Sequence, residues 1–146
     1  LSQAKIFVDF YLKNTARINN WDLVDGSAAY IVGPYLIESG EPRDFLYTLA
    51  RSNSLWERRI AVLSAFAFIR VNDFEDCFKL CEVLMNDKQD LMHKAMGWML
   101  REIGKRNQKA EEAFLDKHAA HMPRTMLRYA IERFPEPLRK SYLAIR

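Results

Sequence analysis

Two residues in the first part of the chain have types and a spacing that can do chemistry. Trp21 and Asp25, in the stretch INNWDLVDG, are four residues apart, so on a helix they share one face. A carboxylate beside an indole lies in a partly apolar setting, where its charge acts more strongly than in water. Two interpretations are open. Asp25 faces a ligand, or it pairs with Arg17 or with an arginine of a following helix while Trp21 packs into the core.

The arginines of SLWERRIAVL are a second pair of candidates. Arg58 and Arg59 stand at the start of the most apolar segment of the chain. A guanidinium is planar and carries its donors as a fork, which suits the oxygens of a phosphate. The alternative is a solvated helix entrance, or an ion pair with Glu57 or another nearby acid.

A third set of candidates lies in QDLMHKAMGWMLREIGKRN, where one helical stripe carries cations around a tryptophan. The stripe is formed by Lys94, Trp98, Arg101 and Lys105. Cations that flank an aromatic ring offer phosphate contacts and a flat apolar surface for a sugar or base, as a nucleic-acid groove does. With the same spacing, Trp98 can instead be half-buried against a neighbouring helix, with the lysines extended into water.

The distribution of charge also favours a polyanion partner. The chain has 146 residues and a formal net charge of +3. Residues 1–90 carry 10 Lys/Arg against 13 Asp/Glu, whereas residues 91–146 carry 12 against 6. A basic block of this kind is expected of a surface that meets phosphates, although basic helices also occur without such a partner. No segment approaches the run of about 20 uncharged apolar residues that a membrane span needs.

Helices must position these candidates, because apolar residues recur at helical spacing along most of the chain. Hydrophobic residues make up 49% of the sequence, enough for a single domain with a sizeable core. In the first half of the chain, the predicted helices cover residues 2–14; Trp21 to about Gly33–Pro34, capped by Asn19 or Asn20 and stopped or kinked by Pro34; EPRDFLYTLARS, with Pro42 in its first turn; and SLWERRIAVLSAFAFIRV, capped by Asn53 or Ser54. In the second half, they cover FEDCFKLCEVLM, capped by Asp73; QDLMHKAMGWMLREIGKRN; and about 109–120. The last two are PRTMLRYAIERF, with Pro123 at its start, and roughly 136–145, after Pro135.

The cysteines and histidines do not have the spacing of a metal site. Cys77 and Cys81 are four residues apart in one helix and are predicted to be buried free thiols, which favours a reducing, intracellular compartment. His118 and His121 are three apart and can share a helix face, but they have no acidic or thiol partner. We therefore predict that no metal is bound.

The predicted helices form pairs that recur along the chain. A polar entry followed by an apolar helix with a charged residue near its start is found at Trp21–Asp25, Trp56–Arg59, Lys94–Trp98 and Arg124–Arg128. The intervals are typical of helical-hairpin repeats, which stack into a curved α-solenoid with a concave face. The sequence therefore predicts an all-α solenoid in which the candidate residues face the concave groove.

Four stretches of the sequence carry a resemblance to a known family. NNWDLVDGSAAYIVGPYL, SLWERRIAVL, HKAMGWMLREIGKRN and PRTMLRYAIERF occur in this order, and together they resemble the DNA alkylation repair family of AlkD-type DNA glycosylases. The resemblance implies HEAT-like repeats and an enzyme that removes alkylated purines from DNA. Family members have further helices before this region, and Leu1 is not an initiator methionine. Residues 1–146 are therefore expected to be a single HEAT-like domain, the carboxy-terminal two-thirds of a longer one.

The resemblance gives each candidate a role. The residues that match the family's motifs are Trp21 and Asp25 of WDxVD, Arg59 of W-x-x-R, and Trp98 before LRE. By this resemblance, Asp25 stabilises an oxocarbenium-like deoxyribose and positions water, while the two indoles pack on the sugar and the adjoining backbone. Cationic N3- or N7-alkylated purines are the implied leaving groups, and the implied enzyme is a monofunctional glycosylase without lyase activity.

The basic candidates are expected to bind DNA. Arg59, with Arg58 beside it, is expected to hold a phosphate near the lesion. The cations of the stripe, Lys94, Arg101 and Lys105, are expected to add affinity that does not depend on sequence.

Partner, cofactor and compartment follow from the same resemblance. The partner is duplex DNA carrying alkylated purines, no cofactor or membrane is involved, and the base need not be flipped into a tight pocket. We expect a cytoplasmic monomer that meets the nucleoid through DNA binding, as in bacteria. The rival hypotheses are a non-catalytic helical-repeat module that binds DNA or protein, and a scaffold that binds an acidic peptide. The binding module would keep the tryptophans and basic residues but be indifferent to Asp25, and the scaffold would show no preference for duplex DNA.

Overall fold

The computed structural model describes residues 3–145, and of Gln3 and Ala4 the backbone alone. Helices are the regular structure of this range, which contains no strand, so the predicted all-α class is confirmed. The predicted beginning of the first helix at Ser2 falls outside the described residues, as do Leu1 and Arg146. No helix within residues 3–145 is long and apolar enough to cross a membrane.

Short helices follow one another along the described chain. In order they are α1 (Gln3–Lys13), a 3-10 helix (Thr15–Arg17), α2 (Trp21–Asp25), α3 (Ala28–Ser39), α4 (Asp44–Ala50), α5 (Leu55–Ile69), α6 (Glu75–Val83), α7 (Asp90–Arg106), α8 (Gln108–His118), α9 (Arg124–Ala130) and α10 (Glu136–Leu143). The helices predicted from residue 75 onward agree with this order to within a few residues at each end.

The chain divides into two compact units, Leu1–Asp73 and Phe74–Arg146. In the first unit α3 packs against α5; α4 also packs against α5, α1 packs against α3, and α2 contacts both members of the central pair. In the second unit α7 packs against α9 and α8, and α6 packs against α7. Both units are thus built of paired helices, while the predicted stacking of the whole chain into one solenoid domain stays a prediction.

The central helix pair of each unit meets at a glycine. A Cβ on Gly33 of α3 would lie 2.6 Å from the backbone oxygen of Ser64 on α5, and a Cβ on Gly97 of α7 would lie 2.6 Å from that of Met126 on α9. Such distances are shorter than any ordinary carbon–oxygen contact, so only glycine allows these backbones to approach so closely. The same device therefore sets the helix spacing in both units.

Two of the predicted helix caps are confirmed, and both position candidate residues. Asn20 Oδ1 accepts a hydrogen bond of 2.9 Å from the Leu23 N–H and begins α2. Ser54 Oγ accepts one of 3.4 Å from the Glu57 N–H and begins α5. Each cap satisfies a backbone donor that the first helical turn leaves unpaired.

The helix predicted from Trp21 to Gly33–Pro34 is wrong at both its middle and its end. It is two helices, α2 and α3, separated at Gly26 and Ser27. At the break, the Ser27 hydroxyl donates a hydrogen bond of 2.5 Å to the Leu23 carbonyl. Pro34 lies inside α3 on its exposed side and does not stop the helix, which ends at Gly40 with a φ of 65°.

Two further predictions about helix starts are wrong. Pro42 is not in the first turn of α4, because that helix begins at Asp44. Asp73 does not cap α6, which begins after Phe74 without a side-chain cap. Asp73 Oδ2 instead accepts a hydrogen bond of 2.9 Å from Nη1 of Arg43. A hydrogen bond from a charged donor is stronger than one from a backbone N–H.

Candidate functional site

The carboxylate of Asp25 is held by a guanidinium in a two-bond ion pair. Arg59 Nε donates to Asp25 Oδ1 and Arg59 Nη2 donates to Oδ2, each at 2.9 Å. The arginine side chain is only 6% exposed, whereas the aspartate side chain is 21% exposed. Parallel bonds of this kind fix the plane of the carboxylate as well as its place. Asp25 is therefore an oriented acid that one side of the pair still leaves open to water.

The two capped helices bring this pair together. The Asn20 cap places Asp25 at the last residue of α2, and the Ser54 cap places Arg59 within the first two turns of α5. Since α2 packs on α5, residues that are far apart in sequence become neighbours. A carboxylate has about four lone-pair sites, and the arginine occupies one on each oxygen. The remaining sites can accept a hydrogen bond from water or a ligand.

Trp21 lies on the surface of the first unit, one helical turn before Asp25. Its side chain is 54% exposed, and nearby Leu23 is 50% exposed, so neither belongs to the core. A large indole left in water at such a position is a surface that another molecule can cover. One of the two interpretations had Asp25 paired and Trp21 buried in the core. Asp25 is paired, but Trp21 is not buried.

The two arginines of α5, which were expected to bind a phosphate, both bind protein groups in this structure. The guanidinium of Arg59 is buried and directed at Asp25, so in this structure it orients an acid. Arg58 Nη1 donates to the backbone carbonyls of Ser52 and Asn53, both at 3.1 Å, in the loop that follows α4. For Arg59 the alternative of an ion pair with a nearby acid holds, and that acid is Asp25. A contact of either residue with a phosphate stays a prediction.

The predicted stripe of α7 is a mixed-charge surface, because each of its cations pairs with an acid. Lys94 Nζ is 3.2 Å from Asp90 Oδ2, and Lys105 Nζ is 2.9 Å from Glu102 Oε1. Arg101 pairs with Glu132, which follows α9. The sequence analysis counted the cations of this helix and left out these acids. The Lys94–Asp90 pair is exposed at both side chains and such pairs are weak, so a phosphate can replace Asp90 there, whereas the side chains of Arg101 and Glu102 are each 18% exposed.

Trp98 is partly buried on the same helix. Its indole Nε1 donates to Glu102 Oε1 at 3.3 Å, the oxygen that Lys105 also contacts. The indole is therefore oriented by its own helix, within the second unit. Trp98 and the three cations of the predicted stripe lie in that unit, while Trp21, Asp25 and Arg59 lie in the first.

Buried Glu111 is the site residue that the sequence analysis missed. It is 1% exposed, and burial raises the pKa of its carboxyl to about 9, with neighbouring Glu112 adding to the rise and Arg101 opposing it. The signal was present in the sequence, since Glu111 precedes Phe114 and Leu115 at helical spacing and so shares their buried face. At neutral pH this acid is protonated and can donate a hydrogen bond.

The remaining candidates concern metals and thiols. Cys77 and Cys81 are free and buried, as predicted. His118 Nε2 lies 3.1 Å from Glu82 Oε1, and its ring is tilted over that of Phe114 at 4.5 Å between centroids. No group of three or more ligating side chains that could hold a metal is found within residues 3–145.

A cavity of the first unit lies apart from the candidate acid. It has a volume of about 670 Å³, and its lining includes Phe7, Phe10, Tyr11, Tyr30 and Tyr35 of α1 and α3. Neither Trp21 nor Asp25 belongs to that lining. The candidate site lies at the surface of the first unit, where Trp21 is 54% exposed and the Asp25 side chain 21% exposed.

Comparison with known proteins gives one match. A sequence model described as DNA alkylation repair enzyme matches residues 2–134, which is most of the chain, so the resemblance carried by the four stretches is confirmed. No curated protein and no solved structure matches the chain.

Proposed function

Because this chain belongs to the DNA alkylation repair enzyme family, we propose that it is a DNA glycosylase acting on cationic N3- and N7-alkylated purines in duplex DNA. The family match supports an enzyme of alkylation repair, while the reaction and the residues are the proposal. One observation carries it: Asp25 is held by two bonds of 2.9 Å from Arg59 and stays 21% exposed. A solvated carboxylate with a fixed orientation, beside an exposed indole, suits this reaction.

The proposed reaction is hydrolysis at C1′ of the deoxyribose. The C1′–N bond breaks and its electron pair leaves with the alkylated purine, whose positive charge is thereby neutralised. Because the leaving group is cationic, it needs little acid assistance. The sugar becomes oxocarbenium-like, and a negative charge at Asp25 stabilises it. A water molecule then adds to C1′ and gives its proton to Asp25, which releases it to solvent.

Arg59 acts in this proposal as a positioning residue. It keeps one face of the Asp25 carboxylate occupied and directs the other face outward. Trp21 packs its exposed ring on the deoxyribose, so that the sugar lies beside Asp25. Trp98 is proposed, from the family resemblance, to pack on the adjoining backbone. No lysine is assigned to a Schiff base, so the enzyme is a monofunctional hydrolase that works without a cofactor.

DNA is bound mainly through its phosphates. Lys94, Arg101 and Lys105 are each paired with an acid of the same unit, and duplex DNA replaces these acids as partner. Arg58 adds charge beside Arg59. We propose that the protein acts as a monomer along the duplex, and that its affinity falls steeply with salt.

A pair of isosteric substitutions tests the proposed role of Asp25. Asp25→Asn removes the negative charge, and we expect it to slow the release of N7-methylguanine from methylated duplex by about 100-fold or more. Asp22→Asn is the matched control, because Asp22 lies on the same helix but is exposed and unassigned. It should leave the rate within about two-fold. The rates are measured under single-turnover conditions, with duplex affinity and the far-ultraviolet spectrum recorded for each variant.

Two results would contradict the proposal. If both variants release the base at the wild-type rate, Asp25 is not the catalytic carboxylate. If the wild-type protein binds methylated duplex but releases no base, the chain is a non-catalytic binding module, which would need the basic residues and not Asp25.

A further inference from the structure

A small cavity in the second unit brings together two buried polar atoms that lack hydrogen-bond partners. The cavity has a volume of about 180 Å³ and lies among α7, α8 and the residues that end α9 and follow it. Among the residues that the structure describes, Arg101 Nε and Glu111 Oε1 are the buried side-chain atoms that no hydrogen bond reaches. Both residues line this one cavity. Buried polar atoms are nearly always satisfied, so two in one place indicate a missing partner.

The wall of the cavity is basic. Its lining includes Arg101, Lys105, Arg133 and the amide of Gln108. Arg101 also pairs with Glu132, but that glutamate side chain is 62% exposed. A pair open to water on this scale holds its carboxylate weakly. An anion in the cavity can therefore compete with Glu132 for the guanidinium of Arg101, whose own side chain is 18% exposed.

Glu111 does not repel an anion here. Burial raises the pKa of its carboxyl to about 9, so at neutral pH the group is a carboxylic acid with an O–H donor. The carboxyl packs directly on the α7 backbone, since a Cβ on Gly104 would come within 1.7 Å of Glu111 Oε2. Gly104 leaves the space that this oxygen occupies, and the other carboxyl oxygen is the atom without a partner. The acid is thus fixed in place and able to donate.

We propose that this cavity, called here the α7–α8 notch and formed by Arg101, Lys105, Gln108, Glu111 and Arg133, binds one phosphate group. Arg101 Nε, the Gln108 amide and the Glu111 O–H donate to phosphate oxygens, and Lys105 and Arg133 supply charge. A cavity of about 180 Å³ has several times the space of a water molecule. The phosphate is a backbone phosphate of DNA or free inorganic phosphate. The DNA source rests on the proposed function, whereas the inorganic source does not.

Titration of the intact chain with inorganic phosphate, at constant ionic strength in chloride, tests the notch. The side-chain N–H signals of Arg101 and Gln108 are followed by nitrogen-15 NMR. We expect both to shift and saturate. Arg133→Gln should weaken the binding by about five-fold or more, because it removes one charged donor from the notch. Arg128→Gln is the matched control, since Arg128 is an exposed arginine of α9 outside the lining, and it should change the binding by less than about two-fold.

A second arm identifies the source of the phosphate. If unmodified duplex DNA shifts the same two signals and competes with inorganic phosphate, the notch takes a backbone phosphate; if inorganic phosphate alone shifts them, the ligand is the free anion. The proposal is overturned if neither ligand shifts them, or if Arg133→Gln and Arg128→Gln weaken binding equally. Release of N7-methylguanine is assayed on the same wild-type sample. If no base is released, the glycosylase proposal is contradicted, while the proposal of a phosphate site in the α7–α8 notch is not affected.

Discussion

Asp25 in the first unit and Glu111 in the second are both acids partly or wholly removed from water, and their surroundings treat the charge in opposite ways. Asp25 receives two charge-assisted bonds from the guanidinium of Arg59, one at each carboxylate oxygen. Glu111 receives no hydrogen bond at its buried Oε1, and burial raises its pKa to about 9. The partner, and not the type of acid, decides whether the group is a charge or a proton donor.

This difference assigns separate tasks to the two units. A fixed negative charge stabilises a cationic sugar, which is the task proposed for Asp25. A neutral acid among cations donates to a phosphate and does not repel it, which is the task proposed for Glu111. The following substitutions separate the two tasks.

The largest expected effect is on the pH dependence of stability, through Glu111→Gln. The unfolded chain loses the Glu111 proton near the ordinary value of 4.5, while the folded protein keeps it to about pH 9. Within this window the folded state binds more protons, so the free energy of unfolding falls as pH rises, by up to roughly 1.4 kcal/mol per pH unit. The variant has no carboxyl at this position, so its free energy of unfolding does not show this fall with pH. Denaturant midpoints of both proteins between about pH 5 and pH 9 should therefore diverge, and parallel curves would contradict the assigned protonation.

A smaller loss of stability is expected for Arg59→Ala. It leaves the Asp25 carboxylate partly buried without its partner, which should cost about 2–3 kcal/mol in the free energy of unfolding. Arg58→Ala, the neighbouring control, removes bonds to two backbone carbonyls near the surface and should cost about 1 kcal/mol or less. Equal costs in urea unfolding would mean that the Asp25 pair does not hold the first unit together.

The glycines at the two helix crossings should respond alike. Gly33→Ala and Gly97→Ala each place a methyl group 2.6 Å from a backbone oxygen of the facing helix, and each should cost about 2 kcal/mol by overpacking. Gly26→Ala serves as control, since the only atom its Cβ meets is the Asp22 carbonyl oxygen, at 3.2 Å. Its cost should be clearly smaller. Unequal melting temperatures of Gly33→Ala and Gly97→Ala would show that the two glycines do not contribute equally to the stability of their units.

Short-range chemistry made much of the fold predictable. The caps at Asn20 and Ser54 and the buried thiols of Cys77 and Cys81 follow from residue type and helical spacing alone. The failures came where a distant partner competed with a local one. Asp73 binds Arg43, thirty residues earlier, instead of capping the helix that follows it.

The contrast between local and distant partners also applies to the candidate site. The sequence placed Trp21 and Asp25 on one helix, but left open whether Asp25 was paired, because the register of α2 on α5 depends on packing across the unit. The cation stripe of α7 was recognised, whereas its acid partners were overlooked. One of them, Glu132, lies beyond α9 and was out of reach of a pattern read along a single helix.

The central claim is that burial keeps the carboxyl of Glu111 neutral in the folded protein, and carboxyl carbon-13 NMR at about pH 7 tests it most directly. Glutamate carboxyl signals differ between ionised and protonated forms, and that of Glu111 is assigned by its loss in Glu111→Gln. We predict the shift of a carboxylic acid for Glu111. The shift of a carboxylate at this residue would contradict the account.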